Sequence, residues 1–157
     1  MDAVTYPHAQ VIEELKSDFV CFKLNMLDRH PDFKEASGTG KVTWAPTFIF
    51  ADAKRRELRR YVGWLPPASF RAELAFVRGQ HALNHGNFDA ATASFDAVAE
   101  QFPGSEVAPE ALYWHGIAAF LRGQRDMKAL AASWKRLVAE YPGHRWATHA
   151  SVIEDAK

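Results

Sequence analysis

Cysteine is nearly absent. Cys21 is the single one among 157 residues, so no intramolecular disulfide, dithiol couple or metal–thiolate cage can form within one copy of the chain. Neither sign of charge is in surplus. Lys plus Arg number 19 and Asp plus Glu number 19, a formal net charge of +0, so no global field draws in nucleic acid or an anionic membrane. Long apolar runs are missing as well. Phe19-Val20-Cys21-Phe22 is far short of the roughly 18 residues that suggest a spanning helix. Residues 1–15 hold Asp2, Glu13 and Glu14 and no basic cluster, so they do not read as a secretory leader. Cytoplasmic residence is the default expectation, with an envelope or periplasmic one if the true start lies upstream of Met1. No Gly-x-Gly-x-x-Gly, phosphate loop, Gly-x-Ser-x-Gly or His-Glu-x-x-His occurs, and no cofactor is implied.

Apolar residues make up 48% of the chain and aromatic ones 13%, enough for a packed core and too many for a disordered chain. They fall into two unlike halves. Residues 1–68 mix short apolar runs with Pro and Gly breaks; residues 69–157 are rich in alanine at helical spacing. In the first half, Val11, Ile12 and Leu15 fit one face of a short helix starting near Pro7. Phe19 to Leu24 is nearly all apolar, which predicts a strand covered on both faces. Asp28 to Ala36 predicts a loop or short helix closed by Gly38-Thr39-Gly40. Thr47 to Phe50 predicts a second strand, Ala51 to Lys54 a turn, and Glu57 to Val62 the returning strand of a hairpin ended by Gly63. Pro66-Pro67 then opens a helix, since proline's missing N–H costs nothing in a first turn.

The second half repeats. Arg78-Gly79 recurs as His115-Gly116 and Gly86 as Gly123, and 116 − 79 and 123 − 86 both give 37. Phe102-Pro103-Gly104 recurs as Tyr141-Pro142-Gly143, where 142 − 103 gives 39; the two extra residues fall after Gly123. Phe88, Ala91, Phe95, Val98 and Phe102 step as one face of a helix, as do Leu130, Trp134, Leu137 and Tyr141. Each unit reads as helix, Gly-containing turn, helix, Pro-Gly. Gly79-x2-Ala82, Ala91-x3-Phe95 and Pro103 resemble the tetratricopeptide (TPR) repeat signature. The second copy keeps Gly116, Ala119, Trp134 and Pro142 but places Leu130 where Ala91 stood. A partial third copy begins at 146, with Ala147 and Ala150, and runs to Lys157. The resemblance implies repeats over 70–103 and 106–142, an array across residues 70–157, and looks most like TPR arrays of bacterial envelope proteins.

The first half resembles the distal part of a thioredoxin-like domain. Trp44-Ala45-Pro46-Thr47-Phe48-Ile49-Phe50, Asp52, Arg60-Tyr61-Val62-Gly63 and Phe70 to Leu74 carry the likeness, which implies such a region over residues 1–74. In that family the proline at the position of Pro46 is cis and faces the active-site cysteines. The first strand, the central strand and the Cys-x-x-Cys motif would lie before Met1 and are absent from this sequence. The fold expected is therefore α+β: an incomplete thioredoxin-like region running into an all-α helical array, with Ser69–Asn84 serving both.

Each candidate residue has a plain reading beside a functional one. Cys21, mid-run among apolar neighbours, reads as a buried inert thiol. Trp44 and Trp64 read either as packing against the sheet or, with Ala45, Pro46 and Thr47, as a peptide-binding groove. Lys54, Arg55, Arg56, Arg59 and Arg60 form a basic run that reads as a solvated hairpin, not a nucleic-acid patch. His81 and His85 have metal-chelating spacing but no third ligand, His144 and His149 are no better supported, and no metal site is expected. Two functions remain. One is a non-catalytic protein- or peptide-binding module. The other is the distal portion of a thiol-disulfide oxidoreductase with its Cys-x-x-Cys encoded upstream. The chain as given favours the first, and the gene it came from the second. Unpaired strands at Phe19–Leu24 and Thr47–Phe50 further predict self-association or a disordered N-terminal region.

Overall fold

Local pattern and turn chemistry account for most of what the chain builds. A computed structural model describes residues 1–28, 30–38 and 40–155 and is mixed α and β. Thr39 of the expected closing turn, and Lys157 at the end of the third repeat copy, lie outside the described residues. The chain divides into two compact units, residues 1–71 and 72–157.

The first unit holds α1 (Ala9–Asp18), α2 (Phe33–Ala36), β1 (Thr47–Ala51), β2 (Glu57–Val62) and the start of α3 (Pro67–Asn84). β1 and β2 form an antiparallel hairpin with Thr47 opposite Val62 and Phe50 opposite Arg59, irregular at Phe50/Ala51. Asp52 shapes its turn. The carboxylate accepts from the backbone N–H of Lys54 at 2.8 Å and of Arg56 at 2.9 Å, and Arg55 takes a positive φ of 61°. The Arg56 N–H, with the rest of that cradle, holds the Asp52 carboxyl below its ordinary value. Phe48 and Phe50 share one face of the strand and meet Phe70 with ring centroids 5.1 and 6.5 Å away. Tyr6 and Phe19 complete this aromatic core from the first 19 residues. The buried Thr5 hydroxyl donates to Leu65 O at 2.6 Å, and Arg71 Nε donates to Glu14 at 2.5 Å. Those two bonds fix α1 against the entry to α3.

The strand expected over Phe19–Leu24 is not formed. Residues 19–25 are irregular, Val20 is 98% and Phe22 73% exposed, and Cys21 is exposed, not buried. An apolar run becomes a strand only where a neighbour pairs its backbone, and among the described residues the sheet contains β1 and β2 alone. Nearby groups still shed enough water from Cys21 to push its thiol pKa up.

The second unit stacks the remainder of α3 with α4 (Phe88–Gln101), α5 (Ala108–Arg122), α6 (Met127–Glu140), α7 (Arg145–Ala150) and α8 (Val152–Asp155). Starts are capped where the sequence offers an acceptor. The Asn87 side chain accepts from Ala90 N, Asp126 from Lys128 N and His144 Nδ1 from Trp146 N. Two close approaches organise the interior. An added Cβ on Gly79 would lie 2.6 Å from Phe95 Cε1, and one on Gly116 would lie 2.7 Å from Trp134 Cδ1. Glycine lets an aromatic ring of the next helix press onto the backbone at both places. Phe95 and Ala91 are fully buried, Phe95 sits 5.5 Å from Phe76, and the Trp134 indole N–H donates to Tyr113 O at 3.1 Å. Ala82 and Ala119 are buried beside these seams, whereas Pro103 and Pro142 lie exposed in the turns that end α4 and α6.

Candidate binding site

Trp44, Ala45, Pro46, Thr47 and Trp64 come together at the end of the hairpin remote from its turn. The Ala45–Pro46 peptide bond is cis, the isomer expected at that position. The loop is pinned on both sides. Thr47 Oγ1 donates to Trp44 O at 2.6 Å, and Gly63 N donates to Pro46 O at 2.8 Å. Gly63 takes a φ of 120°, which is strained for any residue with a Cβ. This backbone presents its aromatic groups to solvent. Trp44 is 67% and Trp64 53% exposed, and Val62 beside them is 49% exposed. The packing reading of the two tryptophans is thus overturned. Pro46 is half-buried, held by the loop, and Leu65 supplies the buried side chain of the segment instead.

Large apolar side chains left in water at one place mark interaction surfaces in a soluble domain. Tryptophan is the residue that contributes most when such a surface is covered. Of the basic run, Lys54, Arg55 and Arg56 are exposed, whereas Arg59 and Arg60 are half-buried, Arg60 being tied by Glu57 at 2.7 Å and donating to Ser37 O. The His81 and His85 rings lie 4.2 Å apart and tilted by 37°, and among the described residues no three metal-ligating side chains stand together.

One constellation was not read from the sequence. His115 Nδ1 lies 2.6 Å from Ser133 Oγ, and its Nε2 lies 3.3 Å from Asp96 Oδ2, joining α4, α5 and α6. The neutral tautomer with hydrogen on Nε2 satisfies both contacts. Burial, reinforced by Arg122 and Arg136, holds the His115 pKa below its ordinary value despite the opposing pull of Asp96. The order of groups is that of a nucleophile, base and acid, but Ser133 is only 6% exposed and lies within α6. The contacts tie α4, α5 and α6 together. Nothing in the spacing of Asp96, His115 and Ser133 along the chain signals their contact.

Unit 2 also has a cleft of about 650 Å³ between its two Pro-Gly turns, lined by Pro103, Tyr141, Arg145 and Trp146 among others. The Tyr141 hydroxyl donates to Pro103 O at 2.8 Å across it. Among the described residues, no helix is long and apolar enough to cross a membrane. No family model matches the chain, and no curated protein matches it.

Proposed function

We propose that this chain is a non-catalytic protein- or peptide-binding module, a thioredoxin-like region followed by TPR-type repeats. The observation that carries the reading is the exposed pair Trp44 and Trp64, presented on the backbone pinned by the Gly63–Pro46 hydrogen bond. A rigid loop pays little ordering entropy on binding, and two indoles supply apolar area that water already disfavours. The repeat reading is supported by the matching Gly79–Phe95 and Gly116–Trp134 approaches, one in each expected unit. Helical arrays of that kind offer extended surfaces to partners.

Selection of a displayed random-peptide library on the purified chain tests it. Enriched peptides should bind the double variant Trp44→Ala, Trp64→Ala about thirtyfold or more weakly, the loss of one strong contact. Equal binding to both proteins would defeat the reading. The oxidoreductase alternative draws support from the order strand, turn, strand, Gly63, helix at β1 to α3. In that reading Pro46 would face a Cys-x-x-Cys supplied by sequence ahead of Met1, and reading that sequence in frame decides it.

A further inference from the structure

The C-terminal end of α3 is closed by a tight, well-bonded turn. Asn87 N donates to Ala82 O at 2.9 Å, Gly86 N donates to Leu83 O at 3.1 Å, and Gly86 takes a φ of 73°. His85 is thereby held just past the helix end, four residues after His81. Residues at that spacing share one helix face, and the two imidazole centroids lie 4.2 Å apart, tilted by 37°. Both side chains are exposed, and among the described residues neither is paired with a carboxylate. The spacing alone offers no third protein ligand and so predicts no metal site, but two facts of the fold favour one. First, His85 Nδ1 lies 2.8 Å from the backbone oxygen of His81. A carbonyl only accepts, so in the neutral imidazole the hydrogen sits on Nδ1 and the lone pair on Nε2. A bond of that kind, from the second ring nitrogen to a backbone carbonyl, is what orients metal-ligating histidines. Second, His81 stands in the last turn of the 18-residue α3, where the helix dipole favours a cation. His144 and His149 lack this arrangement: His144 Nδ1 accepts from Trp146 N at 3.3 Å, and the His149 ring rests edge-on against Trp146, 5.4 Å away.

We propose that His81 and His85 chelate one divalent transition cation of the kind imidazole favours, nickel, copper or zinc. The protein ligands are His85 Nε2 and a ring nitrogen of His81. Water completes the coordination shell, because among the described residues no third metal-ligating side chain stands with the pair. Such a site is open and exchangeable, unlike the closed four-ligand cage of a structural zinc. The bound ion joins the last turn of α3 to the turn beyond it. It therefore fastens the connection between α3 and α4 and stabilises the folded chain by mass action. The inference does not depend on what Trp44 and Trp64 bind.

Nickel(II), which leaves the exposed Cys21 thiol unoxidised, is the probe. Calorimetric titration into the wild-type chain should show one saturable site, and the thermal midpoint should rise as nickel is added. His81→Gln and His85→Gln, each confirmed as folded by circular dichroism, should bind nickel about tenfold or more weakly. Losing a ligand costs at least as much as losing the hydrogen bond that orients one. No saturable binding, or a loss confined to one of the two variants, overturns the proposal, because a chelate needs both rings. Variants that bind as the wild type does place the ion elsewhere and overturn it as well. If a variant fails to fold, nuclear magnetic resonance of the wild type decides. Paramagnetic nickel should broaden the His81 and His85 amide signals before any others, and broadening centred on another part of the chain refutes the site.

Discussion

Replacing Gly79 by alanine probes the seam of the second unit. In an ordinary helix interior the change stabilises by about 0.8–1.0 kcal/mol, because glycine is a poor helix former. Gly79 lies in α3, where the added Cβ would sit 2.6, 2.8 and 2.9 Å from three atoms of the Phe95 ring. That ring has nowhere to go: it is fully buried and packed 5.5 Å from Phe76. Overpacking costs about 1–3 kcal/mol, and three ring atoms in the way call for the upper end. Subtracting the helix gain leaves a net loss of about 2 kcal/mol. Phe95→Ala alone should cost about 3–5 kcal/mol, the ordinary loss for a buried phenylalanine whose site cannot collapse. In the Phe95→Ala background the clash is gone, so Gly79→Ala should turn stabilising by about 1 kcal/mol. Urea unfolding of the four proteins, followed by circular dichroism, measures each corner of the cycle. Gly104→Ala is the control, since a Cβ there meets nothing within 4 Å. If Gly79→Ala stabilises the wild-type background by the helix-propensity amount, the ring is not held against α3 and the seam argument fails.

His115 should make stability depend on pH. Its folded pKa is depressed, so the unfolded imidazole takes up a proton first as pH falls below its ordinary value of about 6.5. Stability contributed by His115 is complete above that value and declines as pH falls toward the folded pKa. Urea midpoints measured across that range should fall more steeply for the wild type than for His115→Gln, and parallel profiles would refute the assignment. Cys21 should react with a thiol reagent in the native protein, without denaturant, at a rate that keeps rising into alkaline solution because its pKa is raised. Labelling that appears only after urea is added would mean that the thiol is buried. The chain alone should show no disulfide-reducing turnover, because Cys21 has no resolving thiol in the same molecule; turnover abolished by Cys21→Ser would contradict this.

Much of this architecture is written in local pattern. Alternation and turn chemistry set the bounds of β2 at Glu57–Val62, and Pro66-Pro67 marks the entry to α3, because each depends on residues a few positions apart. The recurrence of Gly79 and Phe95 as Gly116 and Trp134 likewise placed both seams, since a glycine under a ring is a one-to-one steric match. What depended on a partner distant in the chain was decided by the tertiary structure. Phe19 to Leu24 has the composition of a buried strand, but composition does not supply the neighbour whose backbone must pair with it, so Val20, Cys21 and Phe22 stand in solvent. The same holds for the tie of His115 to Asp96 and Ser133, residues on separate helices that are unremarkable until packing brings them within hydrogen-bond reach. The sequence left Trp44 and Trp64 open between packing on the sheet and lining a peptide groove. That both stand in water is settled only by the folded surface, because burial is a property of the packed structure, not of the residue.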